Sequence, residues 1–172
     1  MILSGNAIQQ ARDAGDILID PYGATRLNPN SYNFHLSHHL LKVVSTDGAF
    51  TYERFDIPPD GLLLQPNCLY LGSTAEIIGS KKYAMTLLGR SSLGRLGIFL
   101  NATADLGHVG ALGRWTLEIS VVQPVRIYAE MPFGQVAFWF SAGSISPYQG
   151  RYQHDLEPRP NRDLSILKEL DL

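Results

Sequence analysis

Two stretches of this chain carry the residue types of a reaction centre. The first surrounds Glu118, in "RWTLEISVV". Trp115, Leu117, Ile119 and Val121 alternate as the inward face of a strand, so Glu118 shares the opposite face with Thr116, Ser120 and Val122. A carboxylate in that place either faces water or pairs with a cross-strand arginine, or it stands on the floor of a pocket ready to move a proton. The second stretch is "GRSSLGRLG", residues 89–97. Phosphate recognition favours backbone N–H groups freed by glycine, short hydroxyls, and arginine forks that match phosphate oxygens. All three occur here in one compact unit, which reads equally well as an ordinary turn followed by a helical half-turn.

Several chemistries are absent by residue type. There is no G-x-x-x-x-G-K-[ST] loop, no G-x-G-x-x-G after a strand and no H-E-x-x-H. The single cysteine, Cys68, excludes an internal disulfide and cannot supply the H-x-E and P-C-x-x-C ligands of a zinc deaminase. It reads as a small buried side chain. His38 and His39 are adjacent, so on a strand they point to opposite faces and do not form a ligand pair.

The elements that must position these residues are mostly short strands. The opening is helical, with Ser4 as N-cap, Ala7, Ile8 and Ala11 on one face and Gly15 at the stop. The period then becomes two. In "SYNFHLSHHLLKV", Tyr32, Phe34 and Leu36 alternate with Asn33, His35 and Ser37. Further runs follow in "GLLLQPNCLYLGST", "KYAMTLL", "GIFLNATA", "WTLEISVV", "VRIYA" and "QVAFWFS", separated by turn residues. This pattern predicts an antiparallel sandwich or barrel. "YERFDIPPDG" reads as a polar loop. Residues 144–172 form a C-terminal lid and tail: an irregular arginine-bearing stretch, then a short helix over "DLSILKELDL" capped by Asp163.

With 172 residues, 45% apolar and 17% charged, the chain is expected to fold as one globular domain. A net charge of −2 argues against binding along a nucleic-acid backbone. No apolar run is long enough to span a bilayer, and the N-terminus lacks the order of a signal peptide, so a cytoplasmic protein is expected.

In order along the chain, these segments resemble the dCTP deaminase branch of the dUTPase-like superfamily. "LNPNSYNFHLSHHL" is similar to the family's I-N-P-A-S-Y-D-L-R-L-G strand, and "LLLQPNCLYLGSTAEII" to its L-x-P-G-x-x-x-L-x-x-T-x-E segment. "GRSSLGRLG", then Thr103–Ala104, Gly110, Gly113 and Leu117–Glu118 follow the family core. "MPFGQVAFWF" resembles the G-Q-[IL] strand, and "PYQGRYQ" the Y-x-G-[KR]-Y-Q lid. The resemblance implies a mainly β, distorted jelly-roll-like barrel, assembled as a homotrimer with sites at subunit interfaces. It implies deamination of dCTP to dUTP and ammonia with no zinc, Mg²⁺ entering only on the triphosphate. In these terms Glu118 is the general base and acid, with Arg95 beside it. Arg90, Ser91 and Ser92 hold phosphates and the attacking water, Ser91 among the catalytic groups. The backbone of Thr103 and Ala104 orients the base edge, and Tyr148, Arg151 and Tyr152 close over the triphosphate.

The match breaks on the sugar side. The family reads [HG]-[RW]-I-D-P-G-[FW]-x-G before its L-E, whereas this chain has His108 for the aspartate and Ala111 for the aromatic. The aspartate contacts the sugar 3′-hydroxyl and, in dUTPases, serves the attack on phosphate; the aromatic packs under the deoxyribose. Asn33 replaces an early family aspartate, and Asp155 brings a carboxylate close to the lid. Two alternatives to dCTP turnover therefore stand: action on a ribo- or modified pyrimidine nucleotide, with His108 donating to the sugar, or a non-catalytic trimer that only binds nucleotide.

Overall fold

The structure, a computed structural model, describes residues 1–101 and 103–162. Ser4 caps α1 (Gly5–Asp13), its Oγ accepting from the Ala7 N–H at 3.3 Å. Ile8 and Ala11 are buried on the inner face of this helix, as their spacing predicts. The strands follow as β1 (Ile17–Asp20), β2 (Tyr32–His35), β3 (His39–Thr46), β4 (Ala49–Asp56) and β5 (Leu62–Leu64). Next come β6 (Leu69–Ser73), β7 (Ile77–Ser80), β8 (Tyr83–Gly89), the single helical turn α2 (Ser91–Gly94) and β9 (Ile98–Leu100). The last strands are β10 (Leu106–Gly107), β11 (Leu112–Gly113), β12 (Thr116–Val121), β13 (Val125–Ile127) and β14 (Pro132–Phe140).

The mainly β architecture with an N-terminal helix is the one expected. The strands form four separate ladders, β1-β7-β11, β10-β8-β14-β2, β4-β3-β6-β12-β9 and β13-β5, and among the described residues they do not close into a continuous barrel. The helix expected from Asp163 onward lies outside the described residues. One apolar cluster links the ladders; Tyr32, Phe34, Leu36, Leu64, Met85 and Phe138 are among its fully buried members. Among the described residues no helix is long and apolar enough to cross a membrane.

"YERFDIPPDG" is a loop only in its second half. Tyr52–Asp56 belong to β4, which pairs with β3 from Ala49 to Asp56. The hairpin turns at Asp47 and Gly48, both in the left-handed region, as an Asp-Gly turn requires. Its polar composition is that of an edge strand with one neighbour and little burial.

The five-stranded sheet positions the site. Its inner face buries Leu40, Tyr70, Leu117, Ile119 and Val121. On its outer face Glu118 pairs with Leu71, and one step along Ser120, Leu69, Val43 and Tyr52 stand side by side. Strand alternation thus sets one half-buried carboxylate in a largely apolar outer face.

Candidate active site

Above that outer face lies a cavity of about 640 Å³. Glu118 and Thr116 line its floor, Tyr52, Val43 and Leu71 its apolar side, and His108, Arg114 and Tyr148 the side nearer the tail. At the end of β9 the chain leaves the sheet through Asn101. Its N–H donates to the Glu118 carbonyl at 2.9 Å, while its Oδ1 accepts from the Glu118 N–H at 2.8 Å. The loop then brings the Thr103 hydroxyl to 3.5 Å from Glu118 Oε2.

The tail covers the other wall. Tyr148 N–H donates to the Val109 carbonyl and His154 N–H to the Leu112 carbonyl, both at 2.8 Å, and Arg114 N–H donates to the Asp155 carbonyl at 2.7 Å. Residues 148–155 therefore extend along the edge of β11. Two glycines make room for this. A Cβ on Gly113 would lie 2.7 Å from the Asp155 carbonyl oxygen, and one on Gly110, which has φ +89°, would lie 2.9 Å from Pro147 Cβ. His108 stacks on Tyr148 with ring centroids 5.6 Å apart and planes 20° from parallel. Further along, the Arg159 N–H donates to Thr116 Oγ1 at 3.0 Å, two residues from Glu118.

Asp155 is only 7% exposed, and its Oδ1 accepts from Arg159 Nε at 2.9 Å and Arg162 Nη2 at 3.2 Å. Its charge is offset within the tail itself. A second tie joins the tail to β4, where Arg54 Nη1 lies 2.8 Å from Glu157 Oε2. The Glu157 carboxyl is held below its ordinary value, first by that hydrogen bond and then by the arginine charge, while the Arg54 guanidinium is raised by the same contact.

Of the residues singled out by sequence, Glu118, Ala104, His108, Tyr148 and Tyr152 line the cavity, and Thr103 reaches Glu118. Arg90, Ser91, Ser92 and Arg95 do not. They sit on and beside α2, Arg90 half-buried and the other three exposed. Arg151 is also exposed outside the cavity, its carbonyl accepting from Arg162 Nη1 at 2.5 Å. Sequence reasoning missed Asn101, Arg114, Arg159 and the aromatic pair Phe50 and Tyr52, all of which line the cavity or hold Glu118. The alternation of Phe50 and Tyr52 in "AFTYERF" was the available signal; nothing local marks Asn101. Among the described residues no group of His, Cys, Asp and Glu side chains is arranged to hold a metal ion.

A dCTP deaminase-like family model matches residues 2–141. The chain belongs to the dCTP deaminase-like family. A dCTP deaminase of Rhodopirellula baltica is 46% identical over 167 residues, covering 94% of this chain and 83% of that protein. A dUMP-forming dCTP deaminase of Clostridium acetobutylicum is 40% identical over 166 residues, covering 94% and 95%, and one from Cytophaga hutchinsonii is 42% identical with the same coverage. The fold is similar to the crystal structure of 2′-deoxycytidine 5′-triphosphate deaminase from Agrobacterium tumefaciens, with a TM-score of 0.67 at 22% identity over 81% of this chain. The chain spans about half the length of that solved protein, 48%. As a family member it is an enzyme of nucleotide deamination in pyrimidine metabolism.

Proposed function

We propose that the protein hydrolyses dCTP to dUTP and ammonia, with Glu118 moving the protons. The observation that carries this is Glu118 itself: one half-buried carboxylate on an apolar cavity floor, its backbone clamped at both N–H and C=O and a hydroxyl at 3.5 Å from its side chain. In the proposed step Glu118 takes a proton from water as the oxygen bonds to C4 of cytosine, and the proton passes to ring N3. The C4–N bond then breaks, and the departing amine leaves as ammonia after receiving the second proton of that water through the same carboxylate. The chain's one cysteine cannot build a zinc-deaminase ligand set, which supports a step driven by the carboxylate. Mg²⁺ would arrive bound to the triphosphate, where Arg90, Ser91 and Ser92 supply a guanidinium and hydroxyls. Ser91 and Arg95 would complete the water and carboxylate end.

Those four residues lie away from the Glu118 cavity of their own chain, so the full site needs a second subunit. A homotrimer fits: Phe50, Leu69 and Phe99 are exposed apolar side chains on the sheet that carries Glu118, a face suited to another copy. The product is a separate question. His108 stands where the resemblance places the aspartate that serves attack on phosphate, which favours dUTP. The Clostridium and Cytophaga relatives are named for dUMP formation, which favours loss of pyrophosphate as well.

The test incubates purified protein with dCTP, CTP and dCMP plus Mg²⁺, following ammonia and resolving the nucleotide products. Ammonia and dUTP from dCTP are expected, with Glu118→Gln slower by about a thousandfold. Turnover of CTP alone would move the reading to a ribonucleotide, and full activity of Glu118→Gln would remove the carboxylate from it.

A further inference from the structure

Asn101 bonds both backbone polar groups of Glu118, and it lies outside the family motifs that the chain resembles. It is buried, 7% exposed, and adopts φ +45°, a left-handed conformation that asparagine tolerates better than most non-glycine residues. The ladder between β9 and β12 runs through the pair Leu100–Ile119. At the next position the Asn101 N–H still donates to the Glu118 carbonyl, but the left-handed turn redirects the main chain. The Asn101 side-chain oxygen accepts from the Glu118 N–H instead, at 2.8 Å. One residue thus ends the strand pairing beside Glu118, satisfies both backbone groups of Glu118, and starts the loop that carries Thr103 back to the carboxylate.

We propose that Asn101 is a positioning residue for the deamination step, holding Glu118 and the Thr103 loop in working register through its left-handed backbone and its Oδ1 clamp. The proposal rests on the reading of Glu118 as the proton carrier. A valine or leucine at this position would lack the acceptor and disfavour the turn; a glycine would allow the turn and lack only the acceptor. That difference lets the clamp be tested apart from folding.

The variants are Asn101→Gly, which keeps the backbone freedom and removes Oδ1, and Asn101→Asp, which restores an oxygen acceptor at the same point. With dCTP and Mg²⁺, Asn101→Gly is expected to lower kcat about tenfold with KM changed less than about twofold, and to keep a cooperative thermal melt a few degrees below wild type. On the alkaline plateau Asn101→Asp returns most of that loss, while its added charge moves the acidic limb of the pH–rate profile to higher pH. The ionisable groups sharing the cavity are His108, Arg114, Asp155 and Arg159 with the phenols of Tyr52, Tyr148 and Tyr152, and none of them is altered in either variant. Wild-type kcat in Asn101→Gly together with an inactive Glu118→Gln would overturn the proposal while leaving the deaminase reading intact. If Glu118→Gln stays active, the reading of Glu118 as the proton carrier fails instead, and exchange of the Glu118 amide proton decides the clamp. Faster exchange in Asn101→Gly supports it, and unchanged protection overturns it.

Discussion

At the scale of single residues, Asp155 shows how a charge that looks misplaced in a sequence is neutralised by its own segment. A lone carboxylate near a triphosphate would repel it by about 4 kcal/mol at contact distance in a surface-like dielectric. Here Oδ1 is shared between Arg159 and Arg162, and Arg159 in turn lines the cavity with its backbone N–H on Thr116. Asp155→Ala leaves both guanidinium groups without that partner. Because the arginine side chains are 43% and 37% exposed, water recovers part of the loss. Chemical denaturation should therefore show a cost of about 1–2 kcal/mol, below that of breaking a fully buried pair. Steady-state kinetics should show a higher KM for the nucleotide with kcat nearly preserved, since the change loosens Arg159 and leaves Glu118 untouched. A fall in kcat at constant KM would place Asp155 in the chemistry instead.

At the scale of elements, the tail is a strap held by backbone bonds to Leu112 of β11 and to Arg114, by the Arg159 N–H on the Thr116 hydroxyl of β12, and by the Arg54–Glu157 tie to β4. Glu157 has a lower proton affinity in the folded chain than in the unfolded one. Its contribution to tail docking is therefore complete above the ordinary glutamate value of 4.5 and is lost as pH falls through the folded value. Both partners are about half exposed, so the tie should also weaken with salt. Protease cleavage within residues 147–162 should accelerate on acidification at low salt, and Glu157→Gln should be cleaved faster at neutral pH. Equal cleavage rates for the two proteins would assign the strap to its other bonds, such as Gln153 Nε2 on the Gly110 carbonyl. Glu76 is the contrasting case, a fully buried carboxylate accepting from Arg26 Nη1 at 2.6 Å and from the His35 N–H at 2.9 Å. Removing it as Glu76→Ala should cost about 2–4 kcal/mol in denaturant unfolding, because β2 and the Ala24–Arg26 turn both lose their charged anchor. The elements were legible in the sequence wherever one face is buried. Ser4 with Ala7, Ile8 and Ala11 marks α1, and Leu117, Ile119 and Val121 mark β12 and so isolate Glu118. Legibility failed where pairing rather than burial makes the element. β4 is an exposed edge strand with mixed polarity, so Tyr52–Asp56 look like a loop, and Asn101 acts through one side-chain oxygen whose partner is seventeen residues away. No local pattern encodes such a contact.

At the scale of the whole molecule, the arrangement of the phosphate-type segment and the carboxylate sets a condition on assembly. Arg90, Ser91, Ser92 and Arg95 lie around α2, off the cavity that holds Glu118. If both serve one nucleotide, they come from different subunits, and the proposal of a trimer with three shared sites becomes quantitative. Arg90→Ala and Glu118→Gln should each be inactive as pure proteins, for opposite halves of the site. Co-folding equal amounts gives random trimers, and every trimer that contains both variants has one junction where an intact Arg90 meets an intact Glu118. About one quarter of all sites should then be whole, and the mixture should recover about a quarter of wild-type activity. A dimer with two shared sites would also recover about a quarter, so the native mass must be measured on the same sample, with three chains expected. Sites built within one chain would recover nothing, because no chain in the mixture carries both residues. The same mixture prepared with Phe99→Asp in both variants should lose the recovered activity and fall to lower mass, since Phe99 is an exposed apolar side chain on the sheet that carries Glu118. Recovery that survives this change would move the interface away from that sheet while keeping the shared site.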